Sequence, residues 1–428
     1  MSAFLSVPAG AACMLFATAL GAVPGPMPTP ASPSAGRAPP SLQAAVQRLW
    51  DTNPEIRAAR AQRDAASARA DAAAQPLYNP ELVLDAEHAD VNRRTAGLSL
   101  TLDLSGKRRA RAGQGSAELR VSEARYTLVR RDMTARWLKA WSVAALAERR
   151  SVLGQRRLAL MRRFDELAAQ RLKVGDISSP ERDLAGLALG EAQLQQAVLV
   201  ADEAAARAGL QAIGAGRVAS LPPLPDGLPP VLAEAPPARA SEELPELVQA
   251  RAEQDSAEAG LRMARRARIP DPTISLTGGQ VRNGPVSDRV VGLGISIPLP
   301  VLNTGRAEVA AAQAQAEAVA ANARSRRLGL EAARVEARTR HEAMRNAAVA
   351  FRAGRAAAFE DRTALLEKLW RAGEIGTSDY LMQLKQSLDT ALSGLELESR
   401  AWQAWFDYLT AAGRLTDWVD GRGQEISP

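Results

Sequence analysis

The chain has 428 residues, of which 46% are hydrophobic and only 4% aromatic, and its formal net charge is +6. This composition suits closely packed helices better than one thick globular core. One cysteine, Cys13, and two histidines, His88 and His341, leave little material for a disulfide framework or an all-protein zinc site, so we expect no cofactor and no catalysis. Basic and acidic residues are interspersed, which indicates solvated helix faces rather than a nucleic-acid surface.

Residues 1–22 have the character of a secretory signal peptide, because they are uncharged and apolar and end in small residues. We expect cleavage near Ala19 or Ala22. The usual basic residue near the start is missing, which leaves open a mis-assigned start or an uncleaved anchor, and lipidation at Cys13 is a less favoured alternative. No later run of about 20 uncharged apolar residues occurs, so no further membrane-spanning helix is predicted.

Two proline-rich stretches, 23–40 and 215–243, separate two segments of similar size. We interpret these segments, 41–214 and 244–413, as two copies of one plan. The sequence "NPEIRAARAQRDAAS" in the first copy matches "LPELVQARAEQDSAE" in the second at Pro, Glu, Arg and Asp as well as at alanine. A helix break, "KVGDISSP", recurs as "RAGEIGTS". Residues 414–428 are left as a C-terminal tail.

Each copy contains a pair of segments in which apolar and polar residues alternate, at about 80–104 and about 272–298. This period of two predicts one β-hairpin per copy, connected by "HADVNRR" and "QVRNGPVSDR". Two hairpins do not make a stable soluble sheet, so their apolar faces need lipid or a partner. Our hypothesis is a barrel around a pore that is shared by several chains, most simply three.

A long helical pattern without proline follows each pair of strands, at about 107–173 and about 306–371. Each helix would be about 100 Å long at 1.5 Å per residue. A cytoplasmic antiparallel coiled coil would show similar helices and a similar glycine turn. The alternating strands and the signal peptide argue against that alternative.

In this order, the features resemble the outer-membrane efflux protein (TolC-like) family over nearly all of residues 41–414. The resemblance is carried by "YNPEL" and "SGKR" in the first copy, by "IPDPTISL" and "PLPVLNTGR" in the second, and by the duplicated long helices. "LSLTLDLSGKR" and "AGEIGTSDYL" are most similar to the outer-membrane subunit of cobalt-zinc-cadmium type cation efflux systems.

The resemblance implies a fold that is mainly α with a small membrane β part. Three chains would form a shared 12-stranded barrel in the outer membrane of a Gram-negative bacterium, above a coiled-coil tunnel in the periplasm. The implied partners are a homotrimer, a periplasmic adaptor (membrane fusion) protein, an inner-membrane resistance-nodulation-division pump and outer-membrane lipid. Heavy-metal cations are the implied substrate, with drugs or organic solvents as one alternative and a coiled-coil scaffold as another.

The same resemblance implies how the shorter helices are arranged. Those after the breaks, about 177–213 and 375–412, would stack end to end with the opening helices, about 41–75 and 243–268. The linker at 215–243 would wrap the middle of the tunnel.

The helix breaks are the predicted periplasmic tips, which would narrow the pore and contact the adaptor. Glycine supplies the left-handed turn, and Asp or Glu with the following Ser or Thr is expected to cap the next helix. A turn without a recognition role is the alternative. The predicted tip residues are Val174, Gly175, Asp176, Ile177, Ser178, Trp370, Gly373, Glu374, Ile375, Thr377 and Asp379.

Three carboxylates, Asp85, Glu87 and Asp103, fall on the polar faces of the predicted strands. In a shared barrel they would line the lumen as acidic rings, which favour cations. Ordinary polar lumen residues are the alternative. His88 is interpreted as a loop histidine rather than as a metal ligand.

The strand-to-helix junctions are predicted at Gly106 with Lys107 and at Gly305 with Arg306. Ser105 is expected to cap the first long helix. The basic run "SGKRRARAGQ" lies where a strand enters a helix, which places it near the inner surface of the membrane rather than on nucleic acid.

Overall fold

The computed structural model describes residues 37–214, 222–225, 227–232, 244–354 and 359–421. The predicted signal peptide, its cleavage site, Cys13 and residues 422–428 lie outside the described residues. In chain order the described elements are α1 (Pro40–Thr52), α2 (Pro54–Ala74), β1 (Glu81–Glu87), β2 (Val91–Thr101), α3 (Lys107–Lys173), α4 (Ser179–Gly214), α5 (Pro245–Ala267), β3 (Thr273–Asn283), β4 (Val286–Ser296), α6 (Arg306–Ala353), α7 (Phe359–Arg371), α8 (Thr377–Ala411) and α9 (Leu415–Asp420).

The 67-residue helix α3 is the central element and has the bounds expected from the sequence. Its first part packs on α2, where Gly115 lies close to Ala70 and Ala73, and its second part packs on α4, where Gly154 lies against Leu199. A stripe of apolar residues at spacings of three and four faces the core, as the helical period requires. The stripe consists of Met133, Trp137, Trp141 and Ala144.

The second copy departs from this plan, because its long helix is not continuous. α6 ends at Ala353, where Gly354 takes an extended conformation with φ −78° and ψ 161°, and α7 begins at Phe359. The expected single helix over 306–371 is therefore wrong. A lone glycine in an alanine-rich pattern costs only about 1 kcal/mol relative to alanine, so the sequence carried little warning of this interruption.

The opening helix of the first copy is also divided. Asn53 separates α1 from α2, and its side-chain oxygen accepts hydrogen bonds from the backbone N–H of Glu55 and Ile56 at 2.8 and 3.1 Å. Pro54 occupies the first turn of α2, where the missing N–H costs nothing. The Asn53 amide also donates to the carbonyl oxygen of Ile213 at 2.8 Å, so the end of α4 meets the start of α2.

The main apolar core lies at mid-length of α3 and includes residues that were expected to form a tail. Leu415, Trp418 and Val419 of α9 are buried there, and the N–H of Ala38 donates to the Trp418 carbonyl at 3.0 Å. The assignment of residues 414–421 to a tail is thus wrong. Burial of the three side chains at helical spacing accounts for the extra helix.

The described part of the proline-rich linker crosses two long helices at the level of this core. Trp141 and Arg149 of α3 donate to the carbonyl oxygens of Pro222 and Leu224 at 2.9 and 3.2 Å. Further along, residues of α6 bind the carbonyls of Pro229 and Pro230. Proline-rich chain cannot satisfy its own carbonyls, so side chains of the helices do so. We call residues 222–225 and 227–232 the strap.

Close to the strap, one buried carboxylate links three helices. Glu398 of α8 accepts from Arg149 of α3 at 3.3 Å and from Arg352 of α6 at 2.9 Å, and its side chain is only 8% exposed. Two guanidinium groups compensate the cost of burying the charge.

The four strands form one antiparallel sheet in the order β1-β2-β3-β4. β2 and β3 pair over eleven residues, from Thr101 opposite Thr273 to Val91 opposite Asn283. The hairpin loops are shorter than predicted, namely residues 88–90 and Gly284 with Pro285. The rest of both predicted connections extends the strands, because ladder hydrogen bonds hold those polar residues in register.

One helix, α4, is long and apolar enough by composition to cross a membrane, with a mean hydropathy of 1.2 in its most apolar window, of which 22% is buried. The sequence had suggested no such helix. Because α4 packs along α3 and its end meets α2, we place it in the helical wall.

Candidate functional site

The two helix breaks have the same backbone geometry. At the end of α3 the N–H of Gly175 donates to Leu172 O at 3.1 Å and that of Asp176 to Arg171 O at 2.9 Å, with Gly175 at φ +80°. The end of α7 repeats both bonds, and Gly373 has φ +76°. This pair of bonds defines a Schellman turn, which favours glycine at the left-handed position.

The caps of the following helices differ from the prediction. The carboxylate of Glu181 accepts from the backbone N–H and the hydroxyl of Ser178, both at 2.8 Å, which forms the reciprocal cap at the start of α4. These hydrogen bonds from Ser178 lower the pKa of Glu181. Gly376 precedes α8 without a side-chain cap. The expectation that Asp176 and Glu374 make the caps is therefore wrong, since a carboxylate three residues into the helix reaches the free N–H instead.

An aromatic cluster supports both turns from the inside. The rings of Phe164, Trp370 and Tyr380 have centroids 4.6 to 5.5 Å apart. Arg171 stacks over the Trp370 ring at 4.5 Å and donates to the carbonyl of Arg371 at 3.0 Å, so the end of α3 is tied to the end of α7. Burial raises the pKa of the Tyr380 hydroxyl to about 12, which keeps it neutral.

Two predicted tip residues lie in this cluster rather than on the surface. Trp370 is 2% exposed and Thr377 is 3% exposed, and the indole N–H of Trp370 points to the Thr377 hydroxyl at 3.3 Å. Neither side chain can contact an adaptor directly in this structure. Ile177 and Ile375 are half-buried and pack against the same cluster.

The remaining predicted tip residues are exposed. Val174 is 74% exposed although it is apolar, and no atom lies within 4 Å of a Cβ built on Gly175 or Gly373. A bulky side chain at either glycine would therefore clash with nothing inside the chain, and its cost would come from the left-handed backbone. The exposed residues are Val174, Gly175, Asp176, Ser178, Gly373, Glu374 and Asp379.

At the first strand-to-helix junction, Asp103 has a different role from the predicted one. β2 ends at Thr101, and the Asp103 carboxylate accepts from the N–H groups of Lys107 and Arg108 at 2.8 and 2.7 Å. It caps α3, and its assignment to a strand face in the lumen is wrong. Ser105 is buried and donates only a long bond of 3.5 Å to Asp103, so it is not the cap.

Both junction glycines have positive φ, 73° for Gly106 and 63° for Gly305. Lys107 forms an ion pair with Asp271 at 2.9 Å, and the Tyr78 hydroxyl donates to the same carboxylate oxygen at 2.8 Å. The junction before β3 is thereby tied to the start of α3. Arg306 is the first residue of α6 and is exposed.

The two faces of the sheet differ in chemistry, as the alternation predicts. Residues paired across an antiparallel sheet share a face. The apolar face carries Leu82, Leu84, Ala86, Ala96, Leu98, Leu100, Ile274, Leu276, Val291, Leu293 and Ile295. The polar face carries Glu81, Asp85, Glu87, Arg93, Thr95, Ser99, Ser275, Thr277, Gly279, Asp288, Gly292 and Gly294. The apolar face is open in the single chain, where Val291 is 82% exposed and Leu293 74%.

The structure thus places Asp85 and Glu87 on the polar face and adds residues that the sequence interpretation missed. Glu81 lies on the same face, and so does Asp288, which had been assigned to a loop. Glu87 pairs directly with Arg93, which offsets its charge. The alternation already contained the signal for Glu81, and the true length of β4 was needed for Asp288.

Comparison with known proteins gives a consistent picture. The family model described as "Outer membrane efflux protein" matches residues 237–413. The cobalt-zinc-cadmium resistance protein CzcC of Cupriavidus metallidurans is 26% identical over 283 residues, which are 64% of this chain and 66% of CzcC, just under two thirds of its length.

Solved structures resemble the chain over most of its length. A membrane protein from Pseudomonas aeruginosa has a TM-score of 0.74 at 17% identity, and the match covers 90% of this chain and 98% of that one. The CmeC outer membrane channel of Campylobacter jejuni has a TM-score of 0.73 at 13% identity, covering 91% and 90%. At these identities the likeness establishes the fold, and the predicted mainly helical class with a small sheet is confirmed.

Proposed function

Because the chain belongs to the outer membrane efflux protein family and to the outer membrane, we propose that it is the exit duct of a three-part efflux system. Three chains would share one barrel and one helical tunnel. A periplasmic adaptor and an inner-membrane pump of the resistance-nodulation-division type would complete the system. Family and fold are those of channels rather than of enzymes, and the energy for export would come from the pump.

One observation carries this proposal: the sheet and the turns lie at opposite ends of a single helix. β2 leads into the start of α3, and the turn at Gly175 follows its end, about 100 Å away. A sheet with one open apolar face suits a membrane. A pair of exposed turns at such a distance suits a partner on the far side of the periplasm.

Exposed apolar side chains on the helices support assembly with further copies. Leu187, Leu194 and Val198 of α4 are exposed, and so are Leu328 and Val335 of α6. The sheet also has two unpaired edges, β1 and β4. Open edges and apolar helix faces are stabilised when neighbouring chains cover them. A closed ring of chains removes both at once.

Metal cations are our proposed substrate. The name of the relative CzcC refers to resistance to cobalt, zinc and cadmium. The carboxylates of the polar face support the same choice, because a negative lumen raises the local concentration of cations. Export of drugs or organic solvents is the competing substrate class.

The exposed tip provides the test of the partner interface. The only cysteine is Cys13, in the predicted signal peptide, so a single cysteine at position 174 would be unique in the mature chain. We expect Val174→Cys to cross-link to the adaptor of its own efflux system in cells. Leu302→Cys is the matched control, because Leu302 is 99% exposed but lies beside the sheet. Equal cross-linking at both positions, or none at position 174, would contradict adaptor docking at the tip.

The substrate is tested separately with a deletion strain. Loss of the gene should lower the tolerated concentration of zinc, cobalt or cadmium, and the intact gene should restore it. Unchanged metal tolerance with increased drug sensitivity would replace the metal proposal by the drug alternative and would leave the channel proposal intact.

A further inference from the structure

Three arginines lie at the outer end of the sheet's apolar face. Arg94 of β2 and Arg289 of β4 flank Gln280 in one cross-strand row, and Arg282 of β3 lies in the next row towards the hairpin loops. The hairpin loops are the end of the sheet farthest from the helices. In the outer membrane this end faces outwards, because the helices extend into the periplasm.

The charges of the sheet are sorted between its faces. Within the described strands, the face of Arg94, Arg282 and Arg289 carries no carboxylate, whereas Glu87 and Asp288 lie at a similar height on the other face. All three arginines are exposed, and none makes an ion pair among the described residues. Three unpaired positive charges next to an apolar surface need an anionic partner that also has apolar parts.

We propose that these three arginines bind the phosphate groups of the phosphorylated glycolipid of the outer leaflet, the lipid A part of lipopolysaccharide. Neighbouring strands are about 4.8 Å apart and residues two apart along a strand about 6.8 Å, so the three Cα atoms lie within about 10 Å of one another. The rows below them, which include Leu98 and Leu293, face the acyl chains. Guanidinium groups bind phosphate oxygens in pairs, which makes arginine well suited to this position.

The number and spacing of the arginines favour a headgroup with more than one phosphate. A phospholipid such as phosphatidylglycerol offers a single phosphate, which one or two guanidinium groups satisfy. A bisphosphorylated headgroup can engage all three. The proposal depends only on the apolar face meeting lipid, so it goes beyond the export function and requires neither adaptor nor pump.

Native mass spectrometry of the purified full-length protein tests this proposal. Bisphosphorylated lipid A, monophosphorylated lipid A and phosphatidylglycerol are titrated in turn onto the wild type and onto the triple variant Arg94→Gln, Arg282→Gln, Arg289→Gln. We expect wild type to prefer bisphosphorylated lipid A, and the triple variant to bind it at least about tenfold more weakly, since each basic residue near an anionic surface contributes about 1 kcal/mol.

Arg93→Gln is the matched control, because Arg93 is the neighbour of Arg94 on the opposite face, and its lipid A binding should stay at the wild-type level. Should the triple variant fail to fold, Arg282→Gln alone should still weaken lipid A binding about threefold. Equal lipid A binding by the variant and wild type would overturn the proposal. Wild-type binding of phosphatidylglycerol as tight as that of lipid A would also overturn it.

Discussion

At the level of single residues, the start of the longest helix depends on Asp103. Its carboxylate accepts from the first two N–H groups of α3, which have no partner within the helix. The negative charge also lies at the positive end of the helix dipole. The capping role explains why an acidic residue follows the strand directly, with no need for a role in ion passage.

We expect Asp103→Ala to lower the stability of the protein by about 1 to 2 kcal/mol, the usual cost of losing a helix cap. Asp103→Asn should cost less, because its amide oxygen still accepts one hydrogen bond. Thermal loss of helical circular dichroism would measure both. Asp85→Ala, which removes an exposed carboxylate from a strand, is the control and should change stability little. Equal midpoints for Asp103→Ala and wild type would contradict the capping role.

At the level of elements, the strap depends on His341 of α6. Its Nε2–H donates to the carbonyl oxygen of Pro230 at 3.1 Å, which leaves Nδ1 as the unprotonated nitrogen. Nδ1 is buried without a hydrogen-bond partner, against the ring of Trp405. Burial lowers the pKa of His341, and the charge of Arg345 acts in the same direction, although the Pro230 bond and Glu342 oppose them.

This lowered pKa predicts that the protein loses stability in mild acid. The unfolded chain binds the proton near pH 6.5, whereas the folded chain does so only at lower pH. The stabilising contribution is therefore complete above about pH 6.5 and is lost as the pH falls towards the folded value. We expect His341→Gln, whose amide can still donate to Pro230, to show a flatter dependence of the thermal midpoint between pH 7.5 and 5. Parallel pH profiles of variant and wild type would contradict this role.

The sequence was sufficient for some elements because one strong local signal defined each of them. The length of α3 followed from the helical period, the absence of proline and the glycine at each end. The end of β2 could not be read in this way, because apolar residues alternate through Leu104. The ladder stops near Thr101 because Pro272, opposite Leu102, has no N–H to donate. Such a limit belongs to the partner strand.

The helix tips show the same division between local and tertiary information. The left-handed turns at Gly175 and Gly373 were predictable, since helix patterns ended at glycine in both copies. The burial of Trp370 was not predictable, because it depends on Phe164 and Tyr380, which come from other helices. Spacing along one helix cannot reveal which neighbour covers a side chain. The exposed part of the tip is consequently smaller than the sequence suggested.

At the level of the whole molecule, the sheet separates charge between its two faces. The polar face carries the carboxylates of Glu81, Asp85, Glu87 and Asp288 and the guanidinium of Arg93, which leaves three negative charges per chain. In the proposed ring of three chains the polar faces enclose the pore, and their charges act together on passing ions. Each single carboxylate would be weakly effective, because all of them are exposed to water.

The charge of the polar face predicts that the reconstituted channel prefers cations. In the variant Glu81→Gln, Asp85→Asn, Asp288→Asn the net charge of this face in each chain changes from three negative charges to none, so the ratio of cation to anion permeability should fall to about 1. Reversal potentials in a salt gradient across a planar bilayer measure this ratio. The control variant Arg94→Gln, Arg289→Gln changes charge at the opposite face of the same sheet and should keep the wild-type preference, because those side chains face lipid. Loss of cation preference in the control, or its persistence in the triple variant, would mean that the polar face does not line the pore.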